Sequence, residues 1–441
     1  MKTLVRLKKL LTLAGAALFA SAASAVTITI DRVQQRYPWN NLVDIDYTLD
    51  GDVADSAIFS VTATIDGTEY KASTFKQVFG KTTGSHRVTW DTDRDGVKAF
   101  SKNATFALGI TIEKPAGYDT VIFDLDAGTY QKLTLGSDNY ASINTDEYKT
   151  NKLAMRVIPA QTYTYVATNG WFNNGVRQVT VSSFLMGVFE VTQAQYARVM
   201  GTMYNDDETL WPSYWTNATY RATRPVDQVS YEMWRGKRSE GFAYLTNGNA
   251  VDPTKFMGLL RAKFGGKIDF DLPKDCQWSA AAQAGYTSVY GHLGGFESYD
   301  TAITKFRCME NSSVSITSRD AYIDRNAIAD YGTAPVGSYE PNPYGLYDCI
   351  GNVNELCVDG QNLSTENNAL VNPTGSATGN PLVRGGAAGI PGYQALAANG
   401  ALSGCTSVTS TGNVPLNYRT WGNLDGRHMT MGARLAAPLV D

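Results

Sequence analysis

Residues 345–356 read Gly-Leu-Tyr-Asp-Cys-Ile-Gly-Asn-Val-Asn-Glu-Leu, and this stretch decides the fold of the chain. It places two carboxylates, Asp348 and Glu355, on either side of Gly351. Carboxylates and backbone carbonyls that cluster in a glycine-containing loop are ligands for a hard cation such as Ca²⁺, rather than for zinc or copper. The alternative is a turn held by its own hydrogen bonds, with Glu355 capping backbone amides.

Further motifs lie on both sides of this stretch. They are Ile158-Pro159-Ala160, Phe189-Glu190-Val191-Thr192-Gln193-Ala194-Gln195-Tyr196, Arg224-Pro225-Val226, Phe270-Asp271-Leu272-Pro273-Lys274-Asp275-Cys276-Gln277-Trp278, Ala334-Pro335-Val336-Gly337-Ser338, Arg384-Gly385-Gly386 and Gly432-Ala433-Arg434. In this order they resemble the formylglycine-generating-enzyme (sulfatase-modifying-factor) family, which has Gly-Asn-Val-Trp-Glu-Trp at 351–356. The resemblance implies that family's fold over residues 151–441, a loop-rich α+β domain related to the C-type lectin fold.

The same resemblance implies a structural calcium site. In the family, the oxygen ligands are two side chains and two backbone carbonyls around the Gly-Asn-Val segment. The matching positions here are the side chains of Asp348 and Glu355 and the carbonyls of Gly351 and Val353. Ca²⁺ is therefore the expected cofactor. A second calcium site of the family falls in a region, 311–330, where the resemblance is too blurred to assign ligands.

The resemblance breaks down at the catalytic positions. The family's enzymes bind copper(I) through two cysteines that follow Arg-Gly-Gly, and soft thiolates are the ligands that copper(I) selects. The corresponding positions here are Ile390 and Ala395, and Cys405 is the only cysteine beyond Arg384. Copper is therefore not expected, and the chain is predicted to lack this catalytic activity.

Another branch of the family makes sulfoxides with an iron held by three histidines. The chain has three histidines, His86, His292 and His428, and no two of them share a helical ligand spacing. The sequence therefore favours scattered histidines over an iron site.

Five cysteines remain to be explained. Exported relatives carry a cysteine at the positions of Cys357 and Cys405, so the resemblance implies a structural disulfide between these two. The alternative is that they are buried thiols that act as small apolar residues. The sequence does not pair Cys276, Cys308 and Cys349.

The first 25 residues read as a secretory signal peptide. Lys2 and Arg6 belong to a basic segment, residues 10–20 are apolar, and Ala23-Ser24-Ala25 is a small-residue cleavage site. The apolar run is too short to span a bilayer, and the mature chain is predicted to have no transmembrane segment. The protein is expected in the periplasm, at the cell surface or outside the cell.

Residues 26–114 predict an all-β domain, an immunoglobulin-like or fibronectin-like sandwich. Alternating apolar residues at 26–30, 58–65 and 105–112 indicate strands separated by Asp-Gly turns. One such turn, Asp91-Thr-Asp93-Arg-Asp95-Gly96, has the beginning of a calcium loop, but a lysine stands where an EF-hand needs its bidentate Glu. A solvated acidic turn is the favoured interpretation. Residues 115–150 are predicted to be a linker.

The net charge of −4 gives no indication of a nucleic-acid partner. Three functions remain open. The favoured one is a non-catalytic, calcium-ordered recognition module that binds a protein, peptide or glycan, with residues 393–420 as its candidate face. The second is a formylglycine-generating-type oxidase or another metal-dependent enzyme of the family. The third is a structural protein of the cell envelope or surface.

Overall fold

The computed structural model describes most of the chain from residue 26 onward. The described residues are 26–36, 41–54, 57–97, 104–112, 116–166, 176–201, 213–215, 217–244, 249–286, 291–293, 305–307, 332–360, 369–374, 379–387, 416 and 420–440. None of the helices in these ranges is long and apolar enough to cross a membrane.

The N-terminal β-domain, residues 26–112, consists of two antiparallel groups of strands that share one core. The strands are β1 (Ile28–Gln35), β2 (Leu42–Leu49), β3 (Ala57–Ile65), β4 (Thr68–Ala72), β5 (Thr74–Phe75), β6 (Gly84–Asp91) and β7 (Thr105–Ile112). One group has the order β1-β2-β6-β5 and the other the order β4-β3-β7. Side chains such as Ile45, Phe59 and Trp90 are buried in this core. The strands predicted at 26–30, 58–65 and 105–112 are confirmed as β1, β3 and β7, although β1 begins only at Ile28 and runs to Gln35.

Residues 116–150 form secondary structure, so the prediction of a linker is corrected. They contain β8 (Thr120–Asp124), β9 (Thr129–Leu133) and the short helix α1 (Asp146–Thr150). β8 pairs with a strand of the C-terminal domain along five residues, and Val121 and Phe123 are fully buried in that domain's core. The glycines that suggested a linker, Gly117, Gly128 and Gly136, lie outside these strands and have positive φ angles.

The C-terminal domain, residues 116–440, adds four more helices and ten more strands among the described residues. These are β10 (Lys152–Ile158), β11 (Gln161–Val166), β12 (Val176–Val181), β13 (Phe184–Gly187), α2 (Gln193–Met200), α3 (Tyr231–Arg235), α4 (Phe256–Lys263), α5 (Asp275–Gln283), β14 (Asn354–Gly360), β15 (Ala369–Val371), β16 (Pro381–Arg384), β17 (Thr420–Trp421), β18 (Met431–Gly432) and β19 (Ala436–Ala437). The result is a mixed α+β domain with long connections between short elements.

Three sheets organise the C-terminal domain. One has the strand order β19-β13-β10-β8-β9, and a second has the order β17-β16-β14-β18. The third continues the sheet of the β-domain, in the order β1-β2-β6-β5-β15-β12-β11. β14 follows directly on the loop of residues 348–353, so the sheet that contains β14 positions the candidate site.

Polar residues followed by Ala and Gln predict helices at 192–200 and 276–284, and these are confirmed as α2 and α5. α2 begins with a capping box, in which the Thr192 hydroxyl accepts from the Gln195 amide and the Gln195 side chain accepts from the Thr192 amide. It ends at Gly201, whose positive φ of 76° terminates the helix. This helix fixes the segment that carries Glu190, two residues before its cap.

Candidate functional site

The loop of residues 348–353 has a backbone that only a few residue types adopt easily. Asp348, Gly351 and Asn352 have φ angles of 55°, 83° and 61°. A Cβ at position 351 would lie against the backbone carbonyl of Arg307, so this position has room only for glycine. Aspartate and asparagine tolerate the left-handed conformation better than most residues. The Asp, Gly and Asn of the motif therefore stand at the positions where the loop backbone is left-handed.

Glu355, a predicted calcium ligand, is completely buried at the start of β14. Its carboxylate forms an ion pair with Arg434, with 2.8 Å between Arg434 Nη2 and Glu355 Oε1. Trp278 Nε1 donates to Glu355 Oε2 over 2.6 Å. Arg434 also donates to the carbonyls of Gly187 and Tyr347. The structure thus brings together side chains from three of the sequence motifs.

Asp348, the other carboxylate ligand predicted, is only 6% exposed. Its Oδ2 accepts from the Gly337 amide over 2.6 Å, whereas its buried Oδ1 has no hydrogen-bond partner among the described residues. Burial raises the pKa of Asp348 to about 6, against the opposing effects of the Gly337 hydrogen bond and the charge of Arg434. Leaving a buried carboxylate oxygen unpaired is unfavourable, so this oxygen is suited to a cation.

Glu190 is a third carboxylate of this cluster, and sequence reasoning did not identify it as one. It is completely buried and accepts from Asn352 Nδ2 over 2.6 Å and from the Val353 amide over 3.0 Å. Burial raises its pKa well above the usual range, and the charges of Asp348 and Glu355 raise it further. The available signal was a glutamate inside an apolar run, Phe189-Glu190-Val191, where a buried charge needs a partner.

Three carboxyl groups and two cations lie close together around the loop. Glu190, Asp348 and Glu355 interact electrostatically with one another and with the buried cation Arg434. The second nearby cation is Lys149, whose ammonium lies over the Phe189 ring and acts on Asp348. Because burial and the neighbouring carboxylates raise the pKa of Glu190, the protonated form of this group is favoured, and the charges of Asp348 and Glu355 then match those of the two cations. The unpaired Asp348 oxygen is the feature that fits a hard cation.

A cation at this place would need backbone ligands. Within the described ranges, no three His, Cys, Asp or Glu side chains are grouped so that they could hold a metal ion. Both oxygens of Glu355 already accept hydrogen bonds from Arg434. The carbonyls of Gly351 and Val353, which the family resemblance assigns as ligands, would have to supply further oxygens.

A narrow cavity of about 10 Å³ lies beside Asp348. Its lining includes Cys349, Leu346 and His292, together with Glu340, which forms an ion pair with Lys305 at 3.6 Å. A volume of this order holds about one water molecule. The cavity therefore belongs to the surroundings of the loop and is too small for an organic ligand.

The positions that decide catalysis lie outside the described residues. These are Ile390 and Ala395, which match the family's copper-binding cysteines; Cys308 and Cys405 also lie outside the described residues. Of the histidines, His86 is on β6 of the β-domain, His292 lies beside the cavity, and His428 bonds to Thr430 Oγ1 at 2.7 Å. The sequence predicts no catalytic residue, and the absence of the family's copper-dependent activity stays a prediction.

Three cysteines are buried free thiols, namely Cys276, Cys349 and Cys357. Burial raises the pKa of Cys349 to about 12 and raises those of Cys276 and Cys357 as well. Such thiols remain protonated and are poor nucleophiles and poor metal ligands. The free thiol of Cys357 favours the alternative of buried apolar cysteines over the Cys357–Cys405 disulfide, whose second member, Cys405, lies outside the described residues.

Comparison with known proteins gives consistent matches over the C-terminal domain. Residues 140–437 match the family described as the sulfatase-modifying factor enzyme 1-like domain. The chain is 29% identical, over 233 residues, to a formylglycine-generating enzyme of Thermomonospora curvata, and the match covers 48% of this chain and 72% of that enzyme.

Two solved structures are also similar. Treponema denticola variable protein 1 has a TM-score of 0.42 and 21% identity, covering 65% of this chain and 95% of that one. A crystal structure of CarF has a TM-score of 0.33 and 14% identity, covering 64% of this chain and 100% of that one.

Proposed function

The chain belongs to the sulfatase-modifying factor enzyme 1-like domain family, and from this membership we propose that it is an exported, non-catalytic recognition module ordered by calcium. The observation that carries the proposal is that Cys405 is the only cysteine beyond Arg384. A copper(I) site with two thiolates needs a second cysteine there, and oxygen ligands do not replace thiolates for copper(I). The domain would thus retain the fold of the family without the means for its oxidation chemistry.

Calcium would have a structural role in this module. Asp348 and Glu355 would hold the ion through their side chains, and Gly351 and Val353 through their carbonyls. The unpaired Asp348 oxygen and the cluster of carboxyl groups around it support this assignment. The ion would pair with the Asp348 oxygen, and it would tie the loop to β14.

The partner would be a protein, a peptide or a glycan. A C-type-lectin-like scaffold combines a rigid core with long loops, and such loops are where binding residues are usually presented. The candidate face, residues 393–420, lies almost entirely outside the described residues. The immunoglobulin-like or fibronectin-like character of the β-domain and export by residues 1–25, which also lie outside the described residues, form part of the same proposal.

The absence of catalysis is tested by incubating the mature chain with copper(I), oxygen and cysteine-containing peptides, followed by mass spectrometry. We expect no formylglycine and no stoichiometric copper. The double variant Ile390→Cys/Ala395→Cys is the matched control for the copper assay, because it restores a cysteine pair at the family's positions. Formylglycine made by the unaltered chain would overturn this part of the proposal.

Recognition is tested on peptide and glycan arrays, in calcium and in chelator, with Asp348→Asn as the control variant. We expect binding that needs calcium and that Asp348→Asn weakens. Binding that is equal in calcium and chelator would contradict the calcium-ordered module. Failure to bind any array in calcium would count against a protein, peptide or glycan partner.

A second candidate is a metal-dependent oxidase, which the 29% identity to a formylglycine-generating enzyme favours. This enzyme would need a metal site other than the missing cysteine pair. Elemental analysis of the purified chain separates the two candidates, because about one tightly bound copper or iron per chain supports the oxidase and calcium alone supports the recognition module.

A further inference from the structure

The two domains are joined by one continuous sheet. β5 of the β-domain pairs with β15 of the C-terminal domain, with Phe75 opposite Ala369 and Thr74 opposite Leu370. The Val371 amide extends this pairing by donating to the Ser73 carbonyl over 3.0 Å. On its other side, β15 pairs with β12 in parallel. The three-residue strand β15 is therefore hydrogen-bonded to both domains at once.

The side chains of β15 also pack into two different hydrophobic cores. Ala369 is buried in the core of the β-domain, where Val371 packs against the same cluster. Leu370 is buried in the C-terminal domain, in the cluster that contains Cys349 and Ile350 of the candidate-site loop. Because successive side chains of a strand point to opposite faces, a short strand can serve two cores in this way.

β5 has only two residues, so its conformation depends on contacts with other segments. At its N-terminal end these contacts come from Asp95 of the acidic turn 91–96. Asp95 Oδ1 accepts from the hydroxyls of Ser73 and Thr74, each over 2.7 Å. Its Oδ2 accepts from the amides of the same two residues over 2.7 and 3.3 Å, and from Trp90 Nε1 over 2.7 Å. Five donors thus converge on one carboxylate, which is a strong, directional arrangement.

The same turn holds the other end of β5. Lys76, the residue after β5, forms an ion pair with Asp91 at 2.8 Å between Nζ and Oδ2. Asp95 and Asp91 therefore bind the residues at the two ends of β5, through hydrogen bonds and an ion pair respectively. Asp93, between them, is exposed. This arrangement accounts for an acidic motif that the sequence suggested as the beginning of a calcium loop.

We propose that the turn 91–96 is a domain latch, in which Asp95 holds Ser73 and Thr74 in the conformation that pairs with β15. Local opening of β5 in one domain is then coupled to local opening of β15 in the other. The β-domain is then an integral part of the C-terminal domain's sheet and not a freely moving spacer. The latch acts on an interface within the chain, and it involves neither calcium nor the recognised ligand.

Hydrogen–deuterium exchange of the mature chain tests the latch, with Asp95→Asn compared with Asp93→Asn as the matched control. In Asp95→Asn, the peptide that covers 369–374 should exchange about tenfold faster than in the wild type, because local opening exposes its amides. The peptide that covers β3 should stay protected, and Asp93→Asn should match the wild type. Unchanged exchange at 369–374 in Asp95→Asn would overturn the proposal.

A second variant addresses the case in which Asp95→Asn unfolds the whole β-domain. Val371→Pro removes the amide that donates to Ser73, together with the Val371 side chain at the interface, and leaves the residues of the β-domain unchanged. It should speed exchange at 73–76 while the β3 peptide stays protected. Equal exchange at 73–76 in Val371→Pro and the wild type would contradict coupling across the interface.

Discussion

The two acidic loops of this chain, residues 91–96 and 348–355, look alike in sequence but differ in how their carboxylates are satisfied. In the first loop, five donors surround Asp95 and a lysine neutralises Asp91. In the second, Asp348 Oδ1 is buried without a partner among the described residues, and three carboxyl groups lie near two cations. The calcium proposal for the second loop therefore rests on an unpaired buried oxygen and not on the number of aspartates.

The largest effect is expected from breaking the buried Arg434–Glu355 ion pair beside the second loop. Arg434→Met leaves Glu355 buried without its cation, and loss of one partner of a buried pair costs about 3–5 kcal/mol. The free energy of unfolding from urea titration measures this loss. Arg198→Met is the control, because its pair with Asp126 is exposed and contributes about 1 kcal/mol or less. Equal losses in the two variants would show that burial of the Arg434 pair does not matter.

The shape of the second loop provides the next test. Gly351 and Gly379 have nearly the same φ, 83° and 82°, but a Cβ meets the Arg307 backbone at position 351 and open space at position 379. Gly379→Ala should cost about 1–2 kcal/mol for the left-handed conformation alone. Gly351→Ala should cost a further 1–3 kcal/mol, roughly, because the clash forces the backbone to move. Indistinguishable unfolding midpoints for the two variants would contradict the tight packing of this loop.

Another buried acid, Asp227, sharpens the comparison, because its burial favours the protonated form. Asp227 is fully buried, and burial raises its pKa from 3.8 to about 8, against the hydrogen bond from the Tyr214 amide. Between these two values the native state keeps a proton that the unfolded chain has released. Stability is therefore greatest below the unfolded pKa and falls as pH rises towards 8, by about 1.4 kcal/mol per unit in the steepest part.

The measurement for Asp227 is the free energy of unfolding between pH 4 and 9 in the wild type and in Asp227→Asn. The variant cannot release this proton, so its stability should depend less on pH across that window. If the difference between the two proteins does not change with pH, Asp227 does not carry the raised pKa.

The sequence predicted three strands of the β-domain, at 26–30, 58–65 and 105–112, together with α2, α5 and the family. Each depends on a local pattern: alternation, polar residues followed by Ala and Gln, or an ordered series of motifs. It missed β8 and β9, since flanking Gly and Asp residues masked two short strands whose burial depends on distant partners. It also missed the roles of Glu190 and Asp95. Their function comes from groups far away in the chain, such as Asn352 for Glu190, and spacing alone does not show these contacts.

Calcium dependence of thermal unfolding, in wild type and Asp348→Asn, tests the central claim most directly. At a calcium concentration ten times Kd, binding to the native state should stabilise the wild type by about 1.4 kcal/mol. The melting temperature of the wild type should therefore rise in calcium and fall in chelator, while that of Asp348→Asn should stay the same in both. A melting temperature that calcium leaves unchanged in the wild type, or raises equally in Asp348→Asn, would contradict a calcium ion at this loop.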